Sequence, residues 1–424
     1  MSEKKDVNTG LSRESEFILI QKQDLQTISP GIHVIGAIGN SVAIETDIGF
    51  IQIDTGNTNK MAEGILNILR SISDIPVHSI IYSHGHNGYN FGVKAFLKAA
   101  EQRGEPRPQI IAHDRLPVRY RRYQETVELQ NYLANIQFRF PLETKMQYVY
   151  VYPDITFNDI LRLNIGNRTV EVLWAPSETD DSIAVWLPKE RVLYSGPAVI
   201  MSCINIGTPL RTLRDATRWA DTLDMMISLR PEVLIPSYGS VIKGTDEIQR
   251  ILGNMAEGLR YLKREVIKRM NQGMTDIEIL HDITYPPELF DQQWTKPVYG
   301  CPDMIVRDIY RSENGWWDRN PTNLHPARPD LATRAIFEAI GDHKRVLEKV
   351  KQLMDSGEIQ LALHVVDLLA LVSGEESEIW EAKRLKSELL HLKSKEVPSI
   401  VSTNLYLSHA DLLDKIIQAH NKEG

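Results

Sequence analysis

Polar and apolar positions alternate in two textures along this chain, and the change between them divides it. The opening residues, MSEKKDVNTGLSRESE, are polar with mixed charge and no apolar periodicity, and residues 1–29 read as an N-terminal arm. From Ile32 short β-rich runs follow: IHVIGAIG, SVAIETDIGFIQID and HSIIYSH, with an amphipathic helix, MAEGILNILRSI, between the last two. Strand, helix and strand in succession imply a parallel crossover, and so an α/β layered sheet. A long helical stretch, Leu116 to Gln137, interrupts before strands return in ILRLNIGNRTVEVLWAPS, SIAVWLP and RVLYSGPAVI. The helix RDATRWADTLDMMISL then leads to one more short strand, EVLIP.

After about residue 245 helical periodicity takes over, broken near Tyr285–Pro287 and by the aromatic, Pro-rich stretch Gly315–Pro329. From Arg334 the helices come as short pairs, with Gly357 and Gly374 where helix ends are expected. The texture is that of a helical repeat without a regular period. The reading is an α/β domain over residues 30–245 and an all-helical domain over 246–424.

Composition adds limits. A chain of 424 residues is too long for one ordinary core, which agrees with two domains. The net charge of −8 argues against nucleic acid as a partner. The densest basic run, Arg119, Arg121 and Arg122, is interleaved with Tyr120 and Tyr123; a solvated helix face and an anion site both explain it. Two distant cysteines, Cys203 and Cys301, force no oxidising compartment. No apolar leader segment and no membrane-spanning run is seen, so a soluble, cytoplasmic protein with no membrane partner is expected.

The chemistry concentrates in IIYSHGHNGYNFGV, residues 80–93. An apolar strand ends there and delivers His84 and His86. Alternate residues of an extended segment point the same way, so two imidazoles at this spacing can address one ion. Two ordinary loop histidines are the competing account.

Context carries a resemblance. Asp54-Thr55-Gly56 at a strand end, HGHNGYNFG, SETDD, SGP and PSYG resemble the metallo-β-lactamase superfamily, in its alkyl-sulfatase-like branch. Relatives of that branch show HGHxDHxFG, GETDD, SGD and PGHG at these places. The stretch VYGCPDMIVRDIYRSENGWWDRNPTNLHP and the helices after it resemble the alkyl-sulfatase dimerisation domain. The resemblance implies an αββα sandwich followed by a helical dimerisation-type domain, and a homodimer. It further implies a metal held by His84, His86 and Glu178.

The departures fall on the second metal of that family. Its ligands would stand where Gly88, Tyr89, Pro197 and Tyr238 stand, so only half of the usual two-metal site is expected. Two metals clamp attacking and leaving oxygens together; a single ion on three protein ligands still leaves open positions for water. Two histidines and a carboxylate suit Zn hydrolysis and non-haem Fe chemistry alike, so the expected cofactor is one divalent transition metal, Zn or Fe.

Asp180 and Asp181 could act as general base or orient a ligand, and Tyr238 joins them as a candidate catalytic group. A capped acidic turn is the bland account of the two carboxylates. Asn205, Arg211 and Arg214 resemble the region where alkyl sulfatases hold sulfate, which suits a guanidinium fork. His113 and the cluster Trp316, Trp317 and Asp318 read as structural or interface residues at least as well as site residues. Three functions remain open: a one-metal hydrolase acting on a small molecule, with anionic substrates among the candidates; a mononuclear iron enzyme on the same ligands; or a non-catalytic relative.

Overall fold

The structure, a computed structural model, describes residues 20–423. Two mixed sheets face each other. The first contains β1 (Leu25–Ser29), β2 (Ile32–Ala37), β3 (Gly39–Glu45), β4 (Phe50–Ile53), β5 (Val77–Ile81), β6 (Gln109–His113) and β7 (Ile155–Phe157), in that spatial order. β1 to β4 pair antiparallel and β4 to β7 parallel. The second runs β13 (Ile242–Lys243), β12 (Val233–Ile235), β11 (Val192–Tyr194), β10 (Ile183–Leu187), β9 (Arg168–Trp174), β8 (Ile160–Ile165).

Inward side chains of both sheets, among them Ile44, Ile53, Ile81, Val172, Val185 and Ile235, form one core between them. The outer face of the first sheet is covered by α1 (Asn59–Ile72) and α2 (Val93–Arg103) through Ile65, Leu69 and Phe96. Covering on both faces explains why β4, Phe50-Ile51-Gln52-Ile53, is buried throughout, with Gln52 its one polar residue. The layers are the expected αββα sandwich.

The stretch from Leu116 forms two helices, α3 (Leu116–Glu125) and α4 (Val127–Phe138). Thr126 breaks it: its hydroxyl donates to the carbonyl of Arg122 at 2.7 Å and its backbone leaves helical geometry. Part of the expected arm is also built into the sheet, since β1 pairs with β2; residues 1–19 lie outside the described residues.

Strands give way to helices at Thr245, yet the division in packing falls elsewhere. One compact unit comprises residues 20–131 and 145–313, the other 132–144 and 314–423. In the first, α5 (Ala216–Ser228), α6 (Thr245–Met270), α7 (Asp276–Asp282), α8 (Pro287–Phe290) and α9 (Pro302–Asn314) close over the second sheet. Trp219, Leu223, Ile251, Leu252, Ile305 and Val306 share that core. Amphipathic periodicity shows that a helix has an apolar face, not which core that face joins.

The second unit is built on α10 (Pro329–Ala339), α11 (His343–Asp355), α12 (Ile359–Ala370), α13 (Ser377–Lys393) and α14 (Ile400–Glu423). Leu347, Val350, Ala362, Val366, Ile379 and Leu389 form its core. No helix among the described residues is long and apolar enough to cross a membrane.

Candidate metal centre

β5 ends the buried apolar run, and the chain turns at Ser83 into the loop that holds His84 and His86. Asp54, at the end of β4, fastens both ends of that loop. Its Oδ1 accepts the backbone N–H of Ser83 and the side-chain amide of Asn90, each at 2.8 Å. Asp54 adopts a positive φ of 56°, a conformation costing about 1–3 kcal/mol that its surroundings hold in place. Burial raises its carboxyl above the usual range against the pull of His84 and of these donors.

A second fastening comes from the loop after β9. Asp181, fully buried, accepts the backbone N–H of Gly85 at 2.6 Å and the Nε of Arg119 at 2.6 Å. A Cβ on Gly85 would lie 2.9 Å from that Asp181 oxygen, so the approach requires glycine. Burial works against ionisation of Asp181, but Arg119 outweighs it and holds the carboxyl below its ordinary value.

Held in this way, His84, His86 and Glu178 converge. The Nδ1 of His84 is engaged by the Ser83 hydroxyl at 2.8 Å, which leaves Nε2 facing Glu178 Oε2 at 3.6 Å. The Nδ1 of His86 lies 3.4 Å from Glu178 Oε1. All three donor atoms lie within 4.8 Å of one another, and they form the one such cluster of three or more among the described residues.

The fit to an ion follows from the orphaned atoms. His84 Nε2 and His86 Nδ1 are buried and have no hydrogen-bond partner. Bonds of ~2.0–2.1 Å in tetrahedral array put ligand atoms about 3.4 Å apart, close to both histidine–carboxylate separations. Burial pushes the His86 imidazole down to about 4 despite the pull of Glu178, which keeps a lone pair available. Burial would raise Glu178, but His86 and the Arg214 guanidinium outweigh it and hold the carboxyl well below the usual range.

Asn205 and Arg214, singled out for substrate, both contact a residue of the cluster. Asn205 Nδ2 donates to Glu178 Oε1 at 2.7 Å and Arg214 Nη2 at 3.2 Å. Arg214 also donates to the Asn205 carbonyl, and its backbone N–H is held by buried Asp308 of α9 at 2.9 Å. Arg211 adds to the depression of His86, so its charge acts on the same cluster.

Asp180 is not part of the cluster. It pairs with Arg119 and, at 3.3 Å, with Arg115. His113 is also apart: its Nε2 donates to the Asn158 carbonyl at 2.6 Å, Nδ1 accepts from Arg115 N–H at 3.2 Å, and its ring stacks on Trp174. Asp318 organises its own turn through Asn320 N–H and Asn323, while Trp316 stands 72% exposed.

Where a second ion's ligands would stand, two phenols meet. The hydroxyls of Tyr89 and Tyr238 are hydrogen-bonded to each other, and both rings are buried with Ile38 and Ile200. The Tyr89 ring lies 4.2 Å from that of His84, centroid to centroid. Burial pushes both hydroxyls well above the ordinary tyrosine value, so both stay protonated. Pro197 lies in a short buried turn, Gly196–Ala198, and Gly88 brings no side chain. Ser83, the pairing of Arg119 with Asp181 and that of Tyr89 with Tyr238 are site features that local sequence did not disclose.

Comparison with known proteins agrees with this architecture. Residues 34–238 match the model of the metallo-beta-lactamase superfamily, and residues 275–415 that of the alkyl sulfatase dimerisation family. The chain is 28% identical over 326 residues to a linear primary-alkylsulfatase of Pseudomonas sp., covering 72% of this chain and 61% of that protein. It is 26% identical to an alkyl/aryl-sulfatase of Saccharomyces cerevisiae, covering 95% and 65%. The structure of a stereoselective inverting sec-alkylsulfatase from Pseudomonas sp. superposes with a TM-score of 0.79 at 20% identity, over 92% of this chain and 65% of that one, a likeness of fold. The chain thus spans just under two thirds of the length of these relatives.

Proposed function

From a chain that belongs to the metallo-β-lactamase superfamily, in its alkyl-sulfatase-like branch, we infer a metal-dependent hydrolase of small sulfate-type esters. It works with one divalent transition ion, Zn or Fe, on His84, His86 and Glu178, and as a homodimer through its helical region. The observation that carries the reading is the pair of buried, partnerless imidazole nitrogens meeting one carboxylate. Leaving such atoms unsatisfied costs about 1–3 kcal/mol each, and a cation on them removes that cost.

When bound, a divalent ion supplies Lewis acidity that acidifies water and polarises an ester oxygen. The protein's own groups do the rest. Ser83 engages Nδ1 of His84 and so turns Nε2 to the cluster. Asn205 and Arg214 keep Glu178 ionised and oriented. Asp181 is a positioning residue, acting through Gly85; Asp180 acts with it on Arg119.

Arg211, whose charge reaches His86, is assigned to the sulfate group. In the tyrosine pair one hydroxyl donates to the other, which leaves one O–H over. Tyr238 is assigned that proton, offered to the departing oxygen in place of a second ion.

The test compares metal-loaded wild type with a His84→Ala, His86→Ala double variant on sulfate esters, carboxylic esters, thioesters and lactones. It is run with Zn and, aerobically, with Fe(II). Sulfate-ester hydrolysis that disappears in the double variant is expected. Identical background rates in a protein that binds no metal overturn the reading, and turnover requiring both Fe(II) and oxygen replaces hydrolysis with oxidation.

A further inference from the structure

The basic run of α3 does not serve the metal cluster directly, and the structure shows what it borders. A cleft of about 360 Å³ is walled by α3, by the loop Pro176–Asp180 and by the segment leading into α5. Five arginines line it, Arg115, Arg119, Arg122, Arg214 and Arg218, against three carboxylates, Glu178, Asp180 and Asp215.

The carboxylates are spoken for. Glu178 pairs with Arg214, and Asp180 with Arg119 and Arg115. Asp215 caps α5, accepting the backbone N–H groups of Thr217 at 2.9 Å and Arg218 at 3.0 Å. Arg119 has its second partner in Asp181 beneath. Arg122 and Arg218 remain, one on α3 and one on α5, both exposed; neither has a carboxylate within ion-pair distance among the described residues, and Arg122 meets only the ring of its neighbour Tyr123, at 5.7 Å.

We propose that this cleft binds a sulfate- or phosphate-type oxyanion between Arg122 and Arg218, as a site additional to the metal cluster. Guanidinium forks from two walls of one cleft can give a tetrahedral oxyanion several charge-assisted hydrogen bonds, and the bound anion would offset the cleft's surplus of arginines over carboxylates. The ligand is small and polar. Of the lining residues only Val118, Pro176 and Leu213 are apolar, so a long alkyl chain would exchange water for guanidinium and gain little of the ~0.8 kcal/mol that each buried methylene is worth elsewhere. Two sources share this chemistry: a free oxyanion, or the far end of a substrate whose other end lies at Glu178, which lines the same cleft.

Titration calorimetry of the intact chain with inorganic sulfate, and separately with phosphate, tests it. One ion per chain is expected to bind saturably, with or without metal. Affinity falls at least ten-fold in an Arg122→Ala, Arg218→Ala double variant and partly recovers in the corresponding double lysine variant. Arg121→Ala, as exposed as Arg122 and on the same helix but outside the cleft, leaves it unchanged. Linear disulfonates of two to six carbons, set against monosulfonates, separate the two sources. A gain for one length that vanishes on metal removal means a single occupant reaching both places; equal affinities mean a free oxyanion. Absence of saturable binding to wild type overturns the proposal. So does binding that needs the metal and survives the double alanine variant, which places the ion at the histidines.

Discussion

The backbone N–H of Gly85 donates to the Asp181 carboxylate at 2.6 Å, joining the loop of His84 and His86 to the loop of Glu178 across 96 residues. The other Asp181 oxygen is taken by Arg119, 12% exposed, so a buried ion pair stands behind the ligands. Asp181→Ala strands the Arg119 charge and frees the Gly85 N–H. A loss of about 3–5 kcal/mol in metal-free stability is expected, together with roughly 10–100-fold weaker metal binding. Urea unfolding and equilibrium dialysis measure the two. Wild-type metal affinity in a destabilised variant would confine Asp181 to the fold.

Metal content should reach one ion per chain and stop there. Glu178→Gln removes the one anionic ligand of the cluster, so occupancy should fall at least ten-fold while the Asn205 contact can persist. Elemental analysis of protein purified without added metal decides both points. Two ions per chain held in this cleft would contradict the reading, and unchanged occupancy in the glutamine variant would remove Glu178 from the ligand set.

The same burial gives the metal-free protein a pH dependence. Unfolded, His86 titrates near ~6.5; folded, burial pushes it down to about 4. Between those values the unfolded chain binds the extra proton and the native state does not. Stability therefore falls as pH drops through that window, by up to roughly 3 kcal/mol from this group. Glu178 acts in the same direction at lower pH, since its depressed carboxyl contributes stability that is lost as it protonates. Asp54 opposes them: burial raises it, so its ionisation costs stability and acid relieves that cost. Unfolding free energies at pH 7 and pH 4.5 should differ clearly less in His86→Gln than in wild type. Equal differences would mean that His86 is not buried in its neutral form.

Much of this site is local in sequence and was legible for that reason. HGH at a strand end places two imidazoles on one side of an extended segment, and Gly88 and Pro197 plainly lack ligand atoms. The partners that make the site work are remote. Arg119 reaches Asp181 over 62 residues and Asn205 reaches Glu178 over 27, distances at which neither periodicity nor propensity carries information. Hence the contacts of Asn205 and Arg214 with Glu178 could not be read from the sequence. In the fold, β7 and β13 are three and two residues long, too short for a period-two pattern. Helices α6–α9 read correctly as helices, but their choice of core depends on three-dimensional contacts such as Arg214 N–H with Asp308.

Tyr89→Phe and Tyr238→Phe separate packing from proton donation. Either change leaves one buried hydroxyl without its partner and should cost about 1–3 kcal/mol. With Tyr238 as the donor to the leaving oxygen, Tyr238→Phe should lower kcat by roughly 10²–10⁴ with metal occupancy unchanged. Tyr89→Phe should lower it much less. Equal small effects from both variants would assign the pair to packing alone.

Self-association can be tested apart from the metal. The second compact unit exposes several large apolar side chains: Trp316 is 72% exposed, Leu331 58%, Leu371 53% and Leu361 52%. Aromatic and aliphatic side chains left in water in this way are the material of interface cores, where a buried Trp is among the residues that contribute most. A closed two-fold dimer is the commonest arrangement that would cover them. Sedimentation at micromolar concentration should therefore give a species of twice the 48.3 kDa chain. Placing charge at two of these positions, Trp316→Asp with Leu331→Asp, should shift it to monomer without unfolding the unit, because neither side chain belongs to that unit's core of Leu347, Val366 and Leu389. The expected metal ligands, His84, His86 and Glu178, all belong to the other unit, so the monomer should bind the ion as tightly as the dimer. A 48.3 kDa species from the intact wild type would overturn the dimer and leave these side chains exposed to solvent.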